Sequence, residues 1–216
     1  MKKFILCLAL VASLNTAALA SVLLGSWENA TDGWIDWSNA ESIDSTTNSA
    51  YYEYSTIGAT NGSSSLNLTK SGWNQSLSLK LTYSERVAFV ANTTFSIDVT
   101  VPADVVDDGD SSGYAQIYNV TINAEGYGWH DQFTVTPALN FYFWNGSSQR
   151  TATLVLDYSA ILSSLSGVPG YIEIIITTNS SSTRGEFYFD NAVLTPEPAT
   201  LALLGLGLTM LRKRSK

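Results

Sequence analysis

Aromatic rings and amide side chains are the residues of this sequence best suited to chemistry. Six tryptophans and eleven tyrosines occur in 216 residues. Trp73, Trp129 and Trp144 stand beside Gly or Asn, where an indole is hard to bury on both faces. Tyr118 and Tyr142 lie in strand-like runs. Sugars stack their C–H faces on such rings, while their hydroxyls bond to amides, carboxylates and guanidinium groups. Gln116, Asn140 and Arg150 are nearby side chains of those types. Together these residues are candidate sugar contacts. Each ring has an equal structural use, filling a core or girdling a sheet, and period-two alternation does not say which face Tyr118 and Tyr142 take.

The case for catalysis is thinner. His130 is the only histidine, and Asp131 follows it directly, so in a strand the two point to opposite faces and cannot act as a base and its orienting partner. There is no Gly-x-Ser-x-Gly, no His-Glu-x-x-His and no nucleotide-binding loop. A glycosidase needs only two facing carboxylates, which keeps a glycan-active hydrolase as a minor alternative. Glu173, flanked by apolar neighbours, is the acid that draws most notice; an outward face beside solvent accounts for it equally well. Asp104, Asp107, Asp108 and Asp110 lack the alternating spacing of an EF-hand loop and read as a solvated connection. The chain reads as a non-enzyme.

Charge narrows the partners. The pI is near 4.5, and between Ser21 and Thr195 five basic residues face eighteen acidic ones, a formal charge of −13. Clustered Lys and Arg, which supply affinity for phosphate, are missing there, so nucleic acid is excluded as a partner and a neutral polysaccharide is favoured over an acidic one. The single cysteine, Cys7, belongs to the leader described next. The remaining chain has no disulfide, no thiolate metal site and no cysteine nucleophile.

The two ends carry addresses. Lys2 and Lys3, the apolar stretch 4–11 and Ala18-Leu19-Ala20 form a secretory signal peptide over residues 1–20, to be cut by signal peptidase. At the other end Pro196-Glu197-Pro198 precedes the apolar run 199–211 and the basic group Arg212, Lys213 and Arg214. Thirteen helical residues span ~20 Å, short of a ~30 Å hydrocarbon core, and the basic cluster orients the run with its C-terminal end cytoplasmic. This order resembles the PEP-CTERM sorting signal. The resemblance implies recognition by an exosortase, a transient stay in the inner membrane through the 199–211 helix, and delivery to the cell surface or an extracellular matrix of exopolysaccharide and biofilm.

Residues 21–195 alternate with period two. Phe95, Ile97, Val99 and Val101 interleave with Ser96, Asp98 and Thr100. Leu77, Leu79 and Leu81 do the same with Ser78 and Lys80. Further strand-like runs cover 50–56, 64–69, 114–122, 139–144, 151–158, 171–178 and 186–194, and 159–166 offers a helical turn. About ten strands without βαβ spacing predict an all-β, two-sheet antiparallel sandwich.

The opening Ser26-Trp27-Glu28 with Gly33-Trp34, the strand entry Asn61-Gly62-Ser63-Ser64-Ser65-Leu66 and the closing Phe189-Asp190-Asn191-Ala192-Val193 resemble, in order, landmarks of jelly-roll carbohydrate-binding modules and galactose-binding-like domains. That resemblance implies adjacent first and last strands. It also implies a structural calcium ion held by Glu28 and Asp190 with the backbone near Asn61; as solvated or locally hydrogen-bonded side chains, the two acids need no ion. The sequence therefore predicts an exported surface or matrix protein with a carbohydrate-binding-like jelly roll. A structural or adhesive matrix protein without a glycan site is the alternative.

Overall fold

The computed structural model describes residues 21–28, 32–36, 52–69, 74–101, 114–126, 128–132, 140–142, 149–180 and 186–196. The leader 1–20, the run 199–211, Glu197, Pro198, Arg212, Lys213, Arg214, Trp73, Trp144 and the acidic stretch from Asp104 to Asp110 lie outside these residues. Among the described residues no helix is long and apolar enough to cross a membrane.

Chain order is β1 (Val22–Gly25), β2 (Trp34–Asp36), β3 (Tyr52–Ser55), β4 (Ser65–Thr69), β5 (Asn74–Lys80), α1 (Tyr83–Ala91), β6 (Thr94–Val101), β7 (Tyr114–Ala124), β8 (Gly128–Gln132), β9 (Asn140–Tyr142), β10 (Arg150–Asp157), α2 (Ser159–Leu162), β11 (Ile172–Ser180) and β12 (Glu186–Thr195). The first sheet runs β10-β6-β12-β4-β3, with β1 also on β12; the second runs β2-β5-β11-β7-β8, with β9 also on β7. The pairings are antiparallel, and the fold is a two-sheet antiparallel jelly-roll sandwich. First and last strands are neighbours, with Val22 opposite Leu194.

Alternation builds the core, as side chains two apart share a face. Phe95, Ile97, Val99 and Val101 of β6 meet Ile172, Ile174 and Ile176 of β11 in one buried cluster, joined by Leu66 and Leu68, Leu77 and Leu79, and Val120 and Ile122. In β12 the inward set changes phase, from Phe187 and Phe189 to Ala192 and Leu194. A register shift between Asp190 and Val193, with Asn191 at φ 53°, is the bulge that makes the change possible. Trp27 and Trp34 are buried, and the Trp34 indole donates to the Leu24 carbonyl at 3.0 Å.

The sequence pattern predicts no helix over 83–91, yet α1 forms there. Val87, Ala88, Phe89 and Val90 are consecutive apolar residues, which hides helical period. The readable signal is a capping box: Thr82 accepts from the Glu85 N–H, and Glu85 accepts from the Thr82 N–H. Phe89 turns inward and stacks on Tyr158 at 4.1 Å between centroids. The Tyr158 hydroxyl donates back to the Phe89 carbonyl at 3.0 Å, and burial holds that phenol protonated. Thr82→Ala is expected to cost ~1 kcal/mol and Phe89→Ala ~3–5 kcal/mol, both read from urea denaturation midpoints.

Candidate functional site

Two polar surfaces stand out, one on the outer face of each sheet. On the first sheet the β3–β4 connection folds back over the strands. A Cβ on Gly58 would come within 2.7 Å of Tyr188 Cβ and 3.0 Å of Thr100 Cβ, so the backbone rests directly on β12 and β6. Beyond it Asp190 Oδ2 accepts the Thr60 N–H at 2.5 Å and the Asn61 N–H at 2.7 Å, while Oδ1 accepts the Asn191 N–H at 2.7 Å. Asp98, directly opposite Asp190, accepts the Thr60 hydroxyl at 2.6 Å and the Thr153 hydroxyl at 2.5 Å. Glu28 fastens the far end of the connection. Its Oε1 accepts the Ser63 and Ser64 N–H groups at 2.6 and 2.5 Å, and its Oε2 accepts the Ser63 hydroxyl at 2.9 Å. The Asn61 amide donates to Asn191 Oδ1 at 3.2 Å.

These bonds set the acids' protonation. The Ser64 N–H, then the Ser63 hydroxyl and N–H, hold the exposed Glu28 carboxyl below its usual value of 4.5. Asp190 is fully buried. Burial pushes its carboxyl up, and the N–H donors of Asn61, Thr60 and Asn191 pull against that shift.

Glu28, Asn61 and Asp190 thus meet at one turn, but their arrangement does not fit a calcium ion. A hard cation wants converging oxygen ligands. Here Asp190 Oδ2 and Glu28 Oε1 each face two backbone N–H groups, and the Asn61 backbone offers its N–H. Among the described residues no three His, Cys, Asp or Glu side chains gather as a metal site.

The second sheet carries the other surface. In β11, Ile172, Ile174 and Ile176 enter the core, so Glu173, Ile175 and Thr177 face outward. Register sets Ser78 and Thr121 on either side of Ile175, Lys80 and Asn123 beside Glu173, Ser76 and Asn119 beside Thr177, and Gln116 beside Asn179. The middle of this face is recessed: Ser78, Ile175, Thr121 and Glu173 are at most 3% exposed. Two side-chain atoms in the recess, Ser78 Oγ and Asn119 Oδ1, are buried without a hydrogen-bond partner, a condition that costs about 1–3 kcal/mol each. The Tyr171 hydroxyl donates to Glu173 Oε2; burial and that carboxylate keep the phenol protonated. Glu173 therefore faces outward, as the alternation implies, but lies below the surface rather than beside solvent.

Some sequence candidates fall around this recess. Gln116 is half-buried in β7, opposite Asn179 and Asn140. Trp129 is opposite Asn123 in β8, and Tyr142 is opposite Tyr114 in β9. Tyr118 falls at the bulge where β11 passes from Thr177–Asn119 to Thr178–Ile117. The side chains of these three aromatics lie outside the described residues. His130 and Asp131 are successive in β8. Arg150 is not part of the group: it opens β10 on the first sheet. Sequence reasoning missed Ser78 and Asn119, since Ser and Asn are also the ordinary residues of a wet strand face. Only cross-strand register and burial single them out.

No protein-family description matches the chain, and no curated protein does. Among solved structures it is similar to the CBM22-1 xylan-binding domain of Paenibacillus barcinonensis Xyn10C, with 15% identity over 83% of this chain and 98% of that one, at a TM-score of 0.44. A CBM28 module specific for non-crystalline cellulose is similar at 14% identity, over 82% and 96% of the two chains, with a TM-score of 0.48. A family 16 carbohydrate-binding module is similar at 16% identity, over 79% and 96%, with a TM-score of 0.40. None of these three reaches a TM-score of 0.5, and what this chain does has to be read from its own residues.

Three outcomes are expected at the β3–β4 connection. Gly62 has φ +99°, and a Cβ there would lie 2.5 Å from Glu28 Oε1, so Gly62→Ala should destabilise by more than ~1 kcal/mol. The Tm should be the same in EDTA and in millimolar calcium. A carboxyl held below its ordinary value stabilises the fold above its unfolded pKa, and that contribution is lost as pH falls through the folded one. The Tm gap between wild type and Glu28→Gln should therefore narrow as pH falls from neutral to below the ordinary carboxylate value of 4.5, followed by calorimetry.

Proposed function

We propose that this chain is an exported protein whose sandwich binds a neutral polysaccharide, without catalysis, in the recess of the second sheet. The observation that carries the reading is the pair of buried, unpartnered atoms, Ser78 Oγ and Asn119 Oδ1. Burying such groups without partners is unfavourable, and a ligand rich in hydroxyls would satisfy both once the side chains over them part to admit it. They sit on β5 and β7 with β11 between, offset by one row, so about 12 Å separates them. A ligand that meets both is a chain of sugars rather than one ring. Gln116, Asn123 and Thr177, all half-buried, line the same face with amides and a hydroxyl. The buried Glu173 and the formal charge of −13 between residues 21 and 195 disfavour an acidic glycan.

The addresses complete the proposal. Residues 1–20 direct export and are cut by signal peptidase. Pro196-Glu197-Pro198, the 199–211 run and Arg212, Lys213 and Arg214 hold the chain in the inner membrane until an exosortase processes it, which puts the sandwich at the cell surface or in the surrounding matrix. A structural or adhesive role draws on a different feature: β10 ends the first sheet's order with Val155 exposed, an edge of the kind that pairs with other chains.

Affinity electrophoresis through gels containing neutral and acidic polysaccharides tests the site. One neutral glycan should retard the protein, and Ser78→Ala or Asn119→Leu should weaken the retardation several-fold while leaving the Tm unchanged or higher. Retardation untouched by both substitutions would remove the recess as the site. No retardation by any glycan would favour the structural reading.

A further inference from the structure

Six large apolar side chains are exposed among the described residues, and three of them stand on β1 and α1, the two elements beside the end of β12. Leu23 is 49% exposed, Val87 40% and Tyr83 69%. Tyr83 and Val87 are four apart on α1 and so share a helix face. Helix α1 lies against β1, where Leu23 is opposite Val193 of β12. Just past the helix, the Thr93 N–H donates to the Thr195 carbonyl at 3.1 Å. Of the other three, Ile57 and Val168 lie elsewhere, and Val155 stands in the same cross-strand row as Leu23, with Ser96 and Val193 between them, on the first sheet's outer face.

Chain length ties this group to the apolar run. Pro196 is buried directly after β12, and three residue steps lead from it to Ala199. Whatever path they take, they reach at most ~11 Å. Leu23 is itself about 10 Å along the strand from Pro196. If the run 199–211 enters a bilayer, the end of β12 is therefore brought to the headgroup layer, which is several ångströms deep on each side of the hydrocarbon. The exposed residues there match that layer chemically. Tyr is an interfacial residue, Leu and Val supply apolar area, and the Arg86 guanidinium lies 5.8 Å from the Tyr83 ring centroid. The same guanidinium donates to the Leu81 carbonyl at 2.8 Å, which holds it against the start of the helix.

We infer that Leu23, Tyr83 and Val87 form a lipid-contacting surface that seats the sandwich on the outward-facing leaflet of the inner membrane before processing. This rests on the membrane anchoring proposed above for residues 199–214. It gives the domain a fixed stance on the bilayer, with β1 and α1 down, rather than free rotation about a tether.

The test uses residues 21–216, the chain left by signal peptidase and free of cysteine, carrying Leu23→Cys, Val87→Cys or Val168→Cys labelled with a polarity-sensitive fluorophore. Each is mixed with vesicles of phosphatidylethanolamine and phosphatidylglycerol with brominated acyl chains, then floated. The expected result is co-flotation, with labels at 23 and 87 quenched several-fold more than the label at 168. Failure to float would overturn the anchoring reading and this inference with it. Flotation with equal quenching at all three positions would leave the anchoring in place and overturn the surface alone. Labels at 23 and 87 already shielded before vesicles are added would show that the chain's own tail or a second copy covers the patch, and would overturn the lipid assignment.

Discussion

A buried carboxylate has to find hydrogen-bond donors, and in the first sheet Asp190 finds them in the β3–β4 connection. Its two oxygens take backbone N–H groups from Thr60, Asn61 and Asn191. These bonds fix where the connection crosses the strands and hold β12 at its bulge. The phase change from Phe189 to Ala192 depends on that bulge, and so does the route by which β12 leaves β4 for β1. Asp98 shares the Thr60 hydroxyl, which stands at 2.6 Å from Asp98 and 3.2 Å from Asp190. The Asn191 amide adds a donor to the same Asp98 oxygen at 3.2 Å. Removing the Thr60 hydroxyl would take one donor from both carboxyls and leave Asp98 to Thr153 and Asn191. Glu28 repeats the device at the far end with Ser63 and Ser64, exposed to water and correspondingly less costly to lose.

The two outer faces solve the problem of buried polar atoms differently. Over the first sheet, carboxylates and N–H groups saturate one another where the connection crosses the strands, while Asn67 Oδ1 of β4 stays unmet. In the recess of the second sheet, Ser78 Oγ and Asn119 Oδ1 are left unmet while Ser76 and Thr177 bond to each other at 2.9 Å. An interior that spends stability on unmatched polar groups is a poor scaffold by itself. It becomes economical once an outside molecule supplies the missing partners, and the binding proposed for this sheet draws on that.

Much of the fold was legible because its strands have one apolar face. In β6 every second residue enters the core, and the sequence displays that directly, whereas in β11 the outward Ile175 interrupts the pattern. The helix 83–91 was not, since four successive apolar residues blur its period and only the Thr82–Glu85 cap marks it. The bulge at Asn191 was equally hidden: a left-handed Asn inside a strand leaves no trace in hydrophobic pattern. For the candidate site, matched positions brought Glu28, Asn61 and Asp190 into one neighbourhood, but position alone cannot say whether a turn presents N–H or C=O to a carboxylate. Arg150 shows a second limit. It is close in sequence to Asn140, yet it belongs to the opposite sheet, because sequence proximity says nothing about which layer a strand joins.

The pairing of β1 with β12 sets how the protein carries load. Any pull on the C-terminal side enters at Thr195 and runs along β12, which has β6 on one flank and β4 followed by β1 on the other. The hydrogen bonds along those flanks stand across the direction of pull and are strained together, in shear, instead of opening one at a time like a zipper. A domain held at that end against flowing water is gripped by its inner strand rather than by a detachable edge.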